Sequence, residues 1–157
     1  MKRLLVSLLI VACLCVTARA QALASAATET STVSDFLSGL RGAIERHLGR
    51  PYVWGATGLK SYDCSGFVWR VMYENGIMMK RTTARKFYLM LKPATKEEQG
   101  AFGTLVFFDD LKHVGIIDTP QTFYHAQVSK GTNRSPMNSF WKTKIYGYRR
   151  LPVSEKK

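Results

Sequence analysis

The stretch YDCSGFVWRVMYENG, residues 62–76, carries a helix pattern and a chemically reactive side chain together. Asp63 is of the type that caps helix N-termini, and Asn75-Gly76 is a typical helix end. The apolar residues between them fall on one helical face. The pattern predicts an amphipathic helix that begins at Cys64 or Ser65. Its predicted buried residues are Phe67, Val68, Val71 and Met72.

A second helix is predicted upstream of this stretch, from Asp35 to Leu48, where apolar residues recur at spacings of three and four. Ser34 or Asp35 can cap its start, and the sequence GRP at 49–51 ends it. His47 lies near the helix C-terminus, where the helix dipole favours a cation. We assign it no catalytic role.

The N-terminal residues 1–20 have the order of a secretory signal peptide: two basic residues, an apolar run and small residues at the end. Cleavage after Ala20 is favoured, with Ala22-Leu23-Ala24 as a second site. A lipoprotein attachment at Cys13 is the less favoured alternative. Residues 21–34 are predicted to be a flexible leader, and residues 35–157 one catalytic domain.

The later half of the chain changes from helical to strand-like patterns. Helices followed by an antiparallel meander indicate an α+β domain, with the N-terminal helices packed on the sheet. The predicted strands are Thr104 to Phe108, His113 to Asp118, Thr122 to Gln127 and Lys144 to Leu151.

Removal of residues 1–20 leaves Cys64 as the sole cysteine of the chain. An unpaired thiol in an exported protein is either incidental or reactive. At a helix N-terminus, unpaired backbone N–H groups and the helix dipole favour a thiolate. A buried structural cysteine is the alternative, and it fits poorly beside Asp63 and Ser65. Cys64 is therefore the candidate nucleophile.

A cysteine nucleophile needs a base, and His113 and His125 are the histidines of the strand-rich half. A hairpin that turns near Thr119-Pro120 brings them roughly opposite each other on two antiparallel strands. His113 is then the candidate base, and His125 orients it. Zinc binding is the alternative for these residues, but no short cysteine spacing or His-Glu-x-x-His run accompanies them. No metal or organic cofactor is expected.

Three further residues are predicted to contribute to an oxyanion site or to substrate binding: Tyr52, Asp63 and Ser65. A tyrosine hydroxyl can donate to an oxyanion, although most such aromatic residues serve packing. Ser65 and Gly66 are small, which leaves space for a substrate backbone beside the sulfur.

The net charge of +12 suits an anionic wall polymer or a membrane surface. No aromatic-rich or zinc-type motif accompanies it, so nucleic acid is not expected as a partner. A basic surface without a partner is an equally acceptable explanation of the charge.

Two blocks of this sequence resemble the NlpC/P60 family of bacterial cell-wall cysteine peptidases, which have a compact papain-like fold. The first is PYVWGATG at 51–58 with DCSGFV at 63–68. The second is GTLVFF at 103–108 with HVGII at 113–117, followed by FYHA at 123–126. Thr104 departs from the pattern, since the family commonly has Asp there, and the link at 109–112 is short.

The resemblance implies Cys64 as nucleophile, His113 as base, His125 as its orienter and Tyr52 in the oxyanion region. It implies a monomeric, exported enzyme of the periplasm or cell envelope that hydrolyses peptidoglycan stem peptides or cross-links. The bond implied follows γ-linked D-glutamate and involves a diamino acid, and it is cut through an acyl-enzyme. The alternatives are a wall amidase, an acyltransferase and an inactive wall-binding protein on the same fold.

Overall fold

A computed structural model describes Gln21 and residues 30–152. The chain divides into two compact units, residues 1–36 and residues 37–157. The predicted signal peptide at 1–20 and its Cys13 alternative lie outside the described residues. In the first unit, residues 30–36 are helical. Residues 30–34 belong to the segment predicted as a flexible leader.

The second unit begins with helix α1, residues 37–46, followed by turn residues 47–49. Leu40, Ala43 and Ile44 are buried at helical spacing, as the predicted helix required. Gly49 follows with a φ of 75°, a conformation that favours glycine and ends the helix. Within the described residues, no helix has the length and apolar character needed to cross a bilayer.

Helix α2 spans Cys64–Glu74 and begins where the sequence predicts. The Asp63 side chain caps it by accepting a hydrogen bond from the Gly66 backbone N–H, at 2.6 Å. Phe67, Val68, Val71 and Met72 are all buried, which confirms the predicted apolar face. The helix ends at the Asn75 cap. Three short helices follow: α3 at Ala84–Met90, a 3₁₀ helix at Glu98–Gly100 and α4 at Ser139–Lys142.

A five-stranded antiparallel sheet forms the second half of the unit, in the order β4-β3-β2-β1-β5. Four strands coincide with predicted segments, and β4 was missed because its polar sequence GTNRSP has no apolar alternation. Its residues pair with β3 along its whole length. The strands are β1 Leu105–Phe108, β2 His113–Thr119, β3 Thr122–Gln127, β4 Gly131–Pro136 and β5 Ile145–Arg149.

The sheet is packed on both sides by apolar side chains. Helix α2 contacts β2 and β3, which places the N-terminus of the helix near the start of β2. A separate cluster is formed by Val106, Phe108, Ile117, Phe123 and Met137, with Trp141, Ile145 and Tyr148 packed against it. The packing holds the two halves of the candidate site on rigid elements, a helix end and two adjacent strands.

Candidate active site

Cys64 is the first residue of α2, and its side chain is almost entirely covered, with 6% exposed. The thiol donates a hydrogen bond to the backbone carbonyl oxygen of Lys112, 3.8 Å away. Gly66 allows the helix start to lie directly against the preceding loop, because a Cβ at its position would overlap the carbonyl oxygen of Ala56.

Burial raises the pKa of the Cys64 thiol to about 11, and the negative charge of Asp63 adds to the effect. Backbone hydrogen bonds from Val114 and Ser65, together with the positive charge of Arg81, oppose the shift. The position of Cys64 at a helix N-terminus predicts a stabilised thiolate. In the structure, desolvation of the sulfur outweighs that effect, and the resting group is a neutral thiol.

Asp63 is surrounded by donors from three parts of the chain. Its Oδ1 accepts from the Ser65 hydroxyl at 3.0 Å as well as from Gly66, and its Oδ2 accepts from the Gly55 backbone N–H at 2.9 Å. Arg81 contacts both oxygens and also donates to Ser65 Oγ at 3.1 Å. Asp63 and Ser65 thus hold the loop around the nucleophile in place. Sequence reasoning missed Arg81, which stands in a short basic run without any motif.

His113 begins β2, and His125 lies in β3. In the β2–β3 register, Ile116 lies opposite Tyr124. The same register places Gly115 opposite His125, so His113 is a diagonal neighbour of His125 and does not lie directly opposite it. Their rings nevertheless meet, with Nε2 of His113 2.8 Å from Nδ1 of His125. Gly115, on β2, lacks a Cβ that would approach the Phe123 ring to 2.7 Å. The absence of a side chain there leaves room for that ring, which packs against His125.

The hydrogen-bond chain continues from His125 onto β4, the strand that was not predicted. Nε2 of His125 is 2.9 Å from the Ser135 hydroxyl oxygen, which donates to Oδ1 of Asn133 at 2.9 Å. Three neighbouring strands therefore contribute to one line of hydrogen bonds. The only sequence signal for these two residues is their spacing of two, which places both side chains on one face of the sheet once β4 is recognised as a strand.

Both histidines are held neutral by their surroundings. Burial lowers the pKa of His113 to about 4, with Asp109 and Lys144 making smaller, opposite contributions. Burial lowers the pKa of His125 to about 3, assisted by His113 and Lys130. At neutral pH each ring thus carries one proton.

Trp141, in α4, covers the histidine pair. Its ring is stacked on His113, with centroids 5.5 Å apart and planes 25° apart, and it meets His125 edge-on at 5.0 Å. It also contacts Phe108 and Phe123, so the cover is anchored in the apolar cluster. The His113–His125 hydrogen bond is thereby shielded from water, which strengthens it.

Two neighbouring pockets surround these residues. One, of about 390 Å³, is lined by Cys64, Asp63, Ser65 and Arg81, and the other, of about 430 Å³, is lined by His113 and Trp141. Tyr52 and Lys112 line both, so the pockets meet at these two side chains. Each is large enough for a residue or more of a bound peptide. The Cys64 thiol donates its hydrogen bond to the backbone carbonyl oxygen of Lys112 and not to the His113 ring.

Tyr52 lines the pocket that contains Cys64. Burial raises the pKa of its phenol, and the charges of Cys64 and Asp63 add to the shift. The hydroxyl therefore stays protonated at neutral pH and available as a donor.

The arrangement does not resemble a zinc site. Zinc binding would need the Cys64 sulfur and nitrogens of both imidazoles to converge on one point. Instead the two imidazoles use facing nitrogens for each other. In the part of the chain that the structure describes, no group of three or more His, Cys, Asp or Glu is arranged to hold a metal ion.

Comparison with known proteins places the chain in a family. The NlpC/P60 family model matches residues 49–150, which include every residue of the candidate site. A protein of Escherichia coli (strain K12) named "Probable endopeptidase NlpC" is 31% identical over 132 residues, covering 73% of this chain and 78% of that protein. The chain belongs to the NlpC/P60 family.

Longer relatives match in part of their length. The Listeria seeligeri protein named "Probable endopeptidase p60" is 33% identical over 110 residues, which cover 68% of this chain and 21% of that protein. The Bacillus subtilis protein named "Probable peptidoglycan endopeptidase LytE" is 34% identical over 109 residues, or 66% of this chain and 31% of that protein. The chain thus spans between about a fifth and a third of these relatives.

Solved structures confirm the α+β, NlpC-type fold. A Staphylococcus aureus protein of the NLP/P60 family, similar to a lipoprotein, superimposes with a TM-score of 0.66 at 27% identity, covering 74% of this chain and 41% of that one. The peptidoglycan hydrolase RipB of Mycobacterium tuberculosis also gives a TM-score of 0.66, covering 79% of this chain and 68% of its own. At 15% identity, the likeness to RipB concerns the fold alone.

Proposed function

We propose that this protein is a peptidoglycan endopeptidase in which Cys64 is the nucleophile, His113 the base and His125 its orienter. One observation carries the proposal. The His113 ring is tied through Nε2 to His125, and the Cys64 thiol binds the carbonyl of the residue just before His113. Nδ1 of His113 is left as the ring nitrogen available to the thiol.

The reaction follows general-base nucleophilic catalysis. The Cys64 proton passes to Nδ1 of His113 as the sulfur attacks the scissile carbonyl carbon. The resulting imidazolium gives this proton to the leaving amine, and a thioester to the remaining acyl group is formed. Water then attacks the thioester with His113 again accepting a proton, and the thiol is restored. Because the resting thiol is neutral, it must lose its proton to His113 during each catalytic cycle.

Tyr52 and the helix N-terminus are suited to stabilise the oxyanion. The Tyr52 phenol is protonated at neutral pH and lies next to Cys64. The Ser65 backbone N–H forms a hydrogen bond to Cys64 and is suited to donate in the same region. Asp63 and Ser65 act indirectly, because their polar atoms are occupied by Arg81 and the surrounding loop.

Charge supports the finer proposal of a bond between γ-linked D-glutamate and a diamino acid. Lys112 lines both the pocket that contains His113 and the pocket that contains Cys64, whereas Lys144 and Arg81 in these pockets are paired with Asp109 and Asp63. Stem peptides carry free carboxylates on both sides of that bond, and cationic side chains attract them. The relatives' names support peptidoglycan as the substrate, and an exported location in the periplasm or cell envelope follows from the predicted signal peptide.

The test incubates purified protein with peptidoglycan and identifies the released fragments by mass spectrometry. The wild type is expected to release peptide fragments that begin with the diamino acid and to leave L-Ala-D-Glu on the glycan, while Cys64→Ala and His113→Gln release none although circular dichroism finds them folded. Equal fragment release by wild type and Cys64→Ala overturns the mechanism. Fragments cut at the sugar–peptide junction identify an amidase, and fragments joined to an added amine identify an acyltransferase.

Synthetic peptides test the bond. L-Ala-γ-D-Glu-diamino acid is expected to be cut between its last two residues, and the analogue with an amidated D-Glu α-carboxyl is expected to be cut more slowly. A faster reaction of the amidated peptide contradicts the charge argument. Binding to the wall without any cleavage identifies a wall-binding protein.

A further inference from the structure

Ser135 and Asn133, on β4, continue the line of hydrogen bonds beyond the histidine pair. Ser135 is 6% exposed, and its hydroxyl stands between Nε2 of His125 and Oδ1 of Asn133, 2.9 Å from each. Neither residue belongs to the nucleophile, the base or its orienter. Because they form the end of this line, their hydrogen bonds determine which ring nitrogens of the two histidines carry protons.

The Asn133 amide has only one acceptable orientation. Its Nδ2 donates to the carbonyl oxygen of Gly131 at 2.8 Å, and a carbonyl oxygen can only accept. Its Oδ1 accepts from Ser135 and, at 3.5 Å, from Nε2 of Gln127. Rotation of the amide by 180° would place two oxygens against each other and two NH₂ groups against each other. Oδ1 therefore faces Ser135.

This orientation propagates along the line. The Ser135 hydroxyl has one hydrogen, which is used toward Asn133, so its oxygen must accept from Nε2–H of His125. A neutral His125 then has an unprotonated Nδ1, which accepts from Nε2–H of His113. The one ring proton of neutral His113 is thereby used, and its Nδ1 carries a lone pair.

We propose that Ser135 and Asn133 are positioning residues that fix the ring protons of both histidines on Nε2, so that Nδ1 of His113 can accept the Cys64 proton. This inference rests on the proposed function for the role of His113 as base. The burial that lowers the pKa of each histidine supports it, because only neutral rings have a tautomer to fix.

The opposite tautomer would disable the base. Without the acceptor at Ser135, His125 is free to carry its proton on Nδ1, which then faces the Nε2–H of His113. The clash is relieved when His113 moves its own proton to Nδ1, the nitrogen needed for Cys64. A neutral Nδ1–H cannot take the thiol proton.

The experiment reads the ring protons directly in the resting protein by nitrogen-15 NMR of the histidines. In the wild type, both rings are expected to be protonated at Nε2. In Ser135→Ala, His125 and His113 are expected to shift toward Nδ1 protonation, and kcat for peptide cleavage to fall roughly tenfold, the scale of one buried hydrogen bond, with little change in KM. Ser135→Thr keeps the hydroxyl and is expected to restore both readouts.

Asn133 provides an independent variant. Asn133→Leu removes the acceptor without altering either partner of His125, so it gives the Ser135→Ala result even if that variant fails to fold. Thr132→Ala is the matched control, since Thr132 is a buried hydroxyl on the same strand that binds only the backbone of His47 and Arg50.

Two results overturn the proposal: ring protons that stay on Nε2 in both Ser135→Ala and Asn133→Leu, or an equal shift in Thr132→Ala. A failure of the proposed function gives a different result from a failure of this inference. A wild-type protein that cleaves no peptide refutes the enzymatic role, whereas the tautomers are still measured in the same sample and decide whether Ser135 and Asn133 set them.

Discussion

Nη2 of Arg81 lies 2.8 Å from Oδ1 and 2.7 Å from Oδ2 of Asp63, so one guanidinium nitrogen contacts both oxygens of the carboxylate that precedes Cys64. The Asp63 side chain is 10% exposed and that of Arg81 24%. A carboxylate in such a position needs a partner, because desolvation without one is costly. The Arg81 guanidinium thus compensates the negative charge of Asp63 beside the candidate nucleophile.

Loss of Arg81 is expected to destabilise the protein. Arg81→Met leaves the buried Asp63 carboxylate without its cation, at a cost of about 2–4 kcal/mol in the free energy of unfolding. Urea denaturation measures it. Arg85→Met is the matched control, because Arg85 is exposed and donates to a backbone carbonyl, that of Asp110. Equal losses in the two variants would mean that the Arg81–Asp63 pair adds nothing.

The thiol of Cys64 is expected to titrate far above neutrality. Its pKa is raised from 9.0 to about 11, so iodoacetamide alkylation in the wild type should increase as pH rises through about 11. Asp63→Asn removes the negative charge that contributes to this shift, and the midpoint should move to lower pH. Asp110→Asn, an exposed change, should leave it in place. A wild-type midpoint below 9 would refute the neutral resting thiol.

Acid is expected to destabilise the folded protein through His113 and His125. Their folded pKa values, about 4 and about 3, lie below the unfolded value of 6.5, so the unfolded state binds more protons between these limits. Their stabilising effect is complete above pH 6.5 and is lost as pH falls through 4 and then 3.

Thermal unfolding between pH 7 and 4.5 tests this expectation, because the carboxylates whose folded pKa values are lowered add little to the change above their unfolded values of 4.5 and 3.8. The melting temperature of the wild type should fall through this range. The decline should be less steep in His125→Asn, which cannot take up the second proton. Parallel curves for the two proteins would contradict the assignment.

Removal of the Trp141 ring is expected to affect both stability and turnover. Trp141→Ala uncovers the His113–His125 hydrogen bond and takes packing from Phe108 and Phe123, so we expect a loss of about 3 kcal/mol. The drop in kcat should exceed that of Trp141→Phe, which keeps a ring over His113. Phe140→Ala, at a neighbouring exposed ring, is the control for both measurements. A kcat loss in Trp141→Ala no larger than in Phe140→Ala would exclude the shielding role.

The predicted elements that formed as expected are those whose sequence pattern alone specifies them. Helix α2 begins at its Asp63 cap and buries the predicted face, because the cap and the apolar spacing act within one helix. The strands that contain His113 and His125 follow from runs of β-branched and aromatic residues. The roles of Cys64, His113, His125 and Tyr52 remain predictions that the experiments above test.

Strand β4 could not be predicted from the sequence. Its residues Gly131–Pro136 have no apolar period, and they form a strand because the β3 edge supplies hydrogen-bond partners along its length. Ser135 and Asn133 reach the histidines only through that pairing. Arg81 likewise reaches Asp63 across 18 residues of chain that carry no signal for the contact.

The sequence by itself determined the first two helices of the domain and four of its five strands, the position of Cys64 at a helix start and the presence of two histidines on adjacent strands, because these depend on local spacing. Tertiary structure decided the protonation of the site. Burial keeps the thiol and both imidazoles neutral, and β4 supplies Ser135 at the end of the hydrogen-bond line. Desolvation and hydrogen-bond direction depend on what surrounds a group in space, and neighbours in sequence do not reveal that.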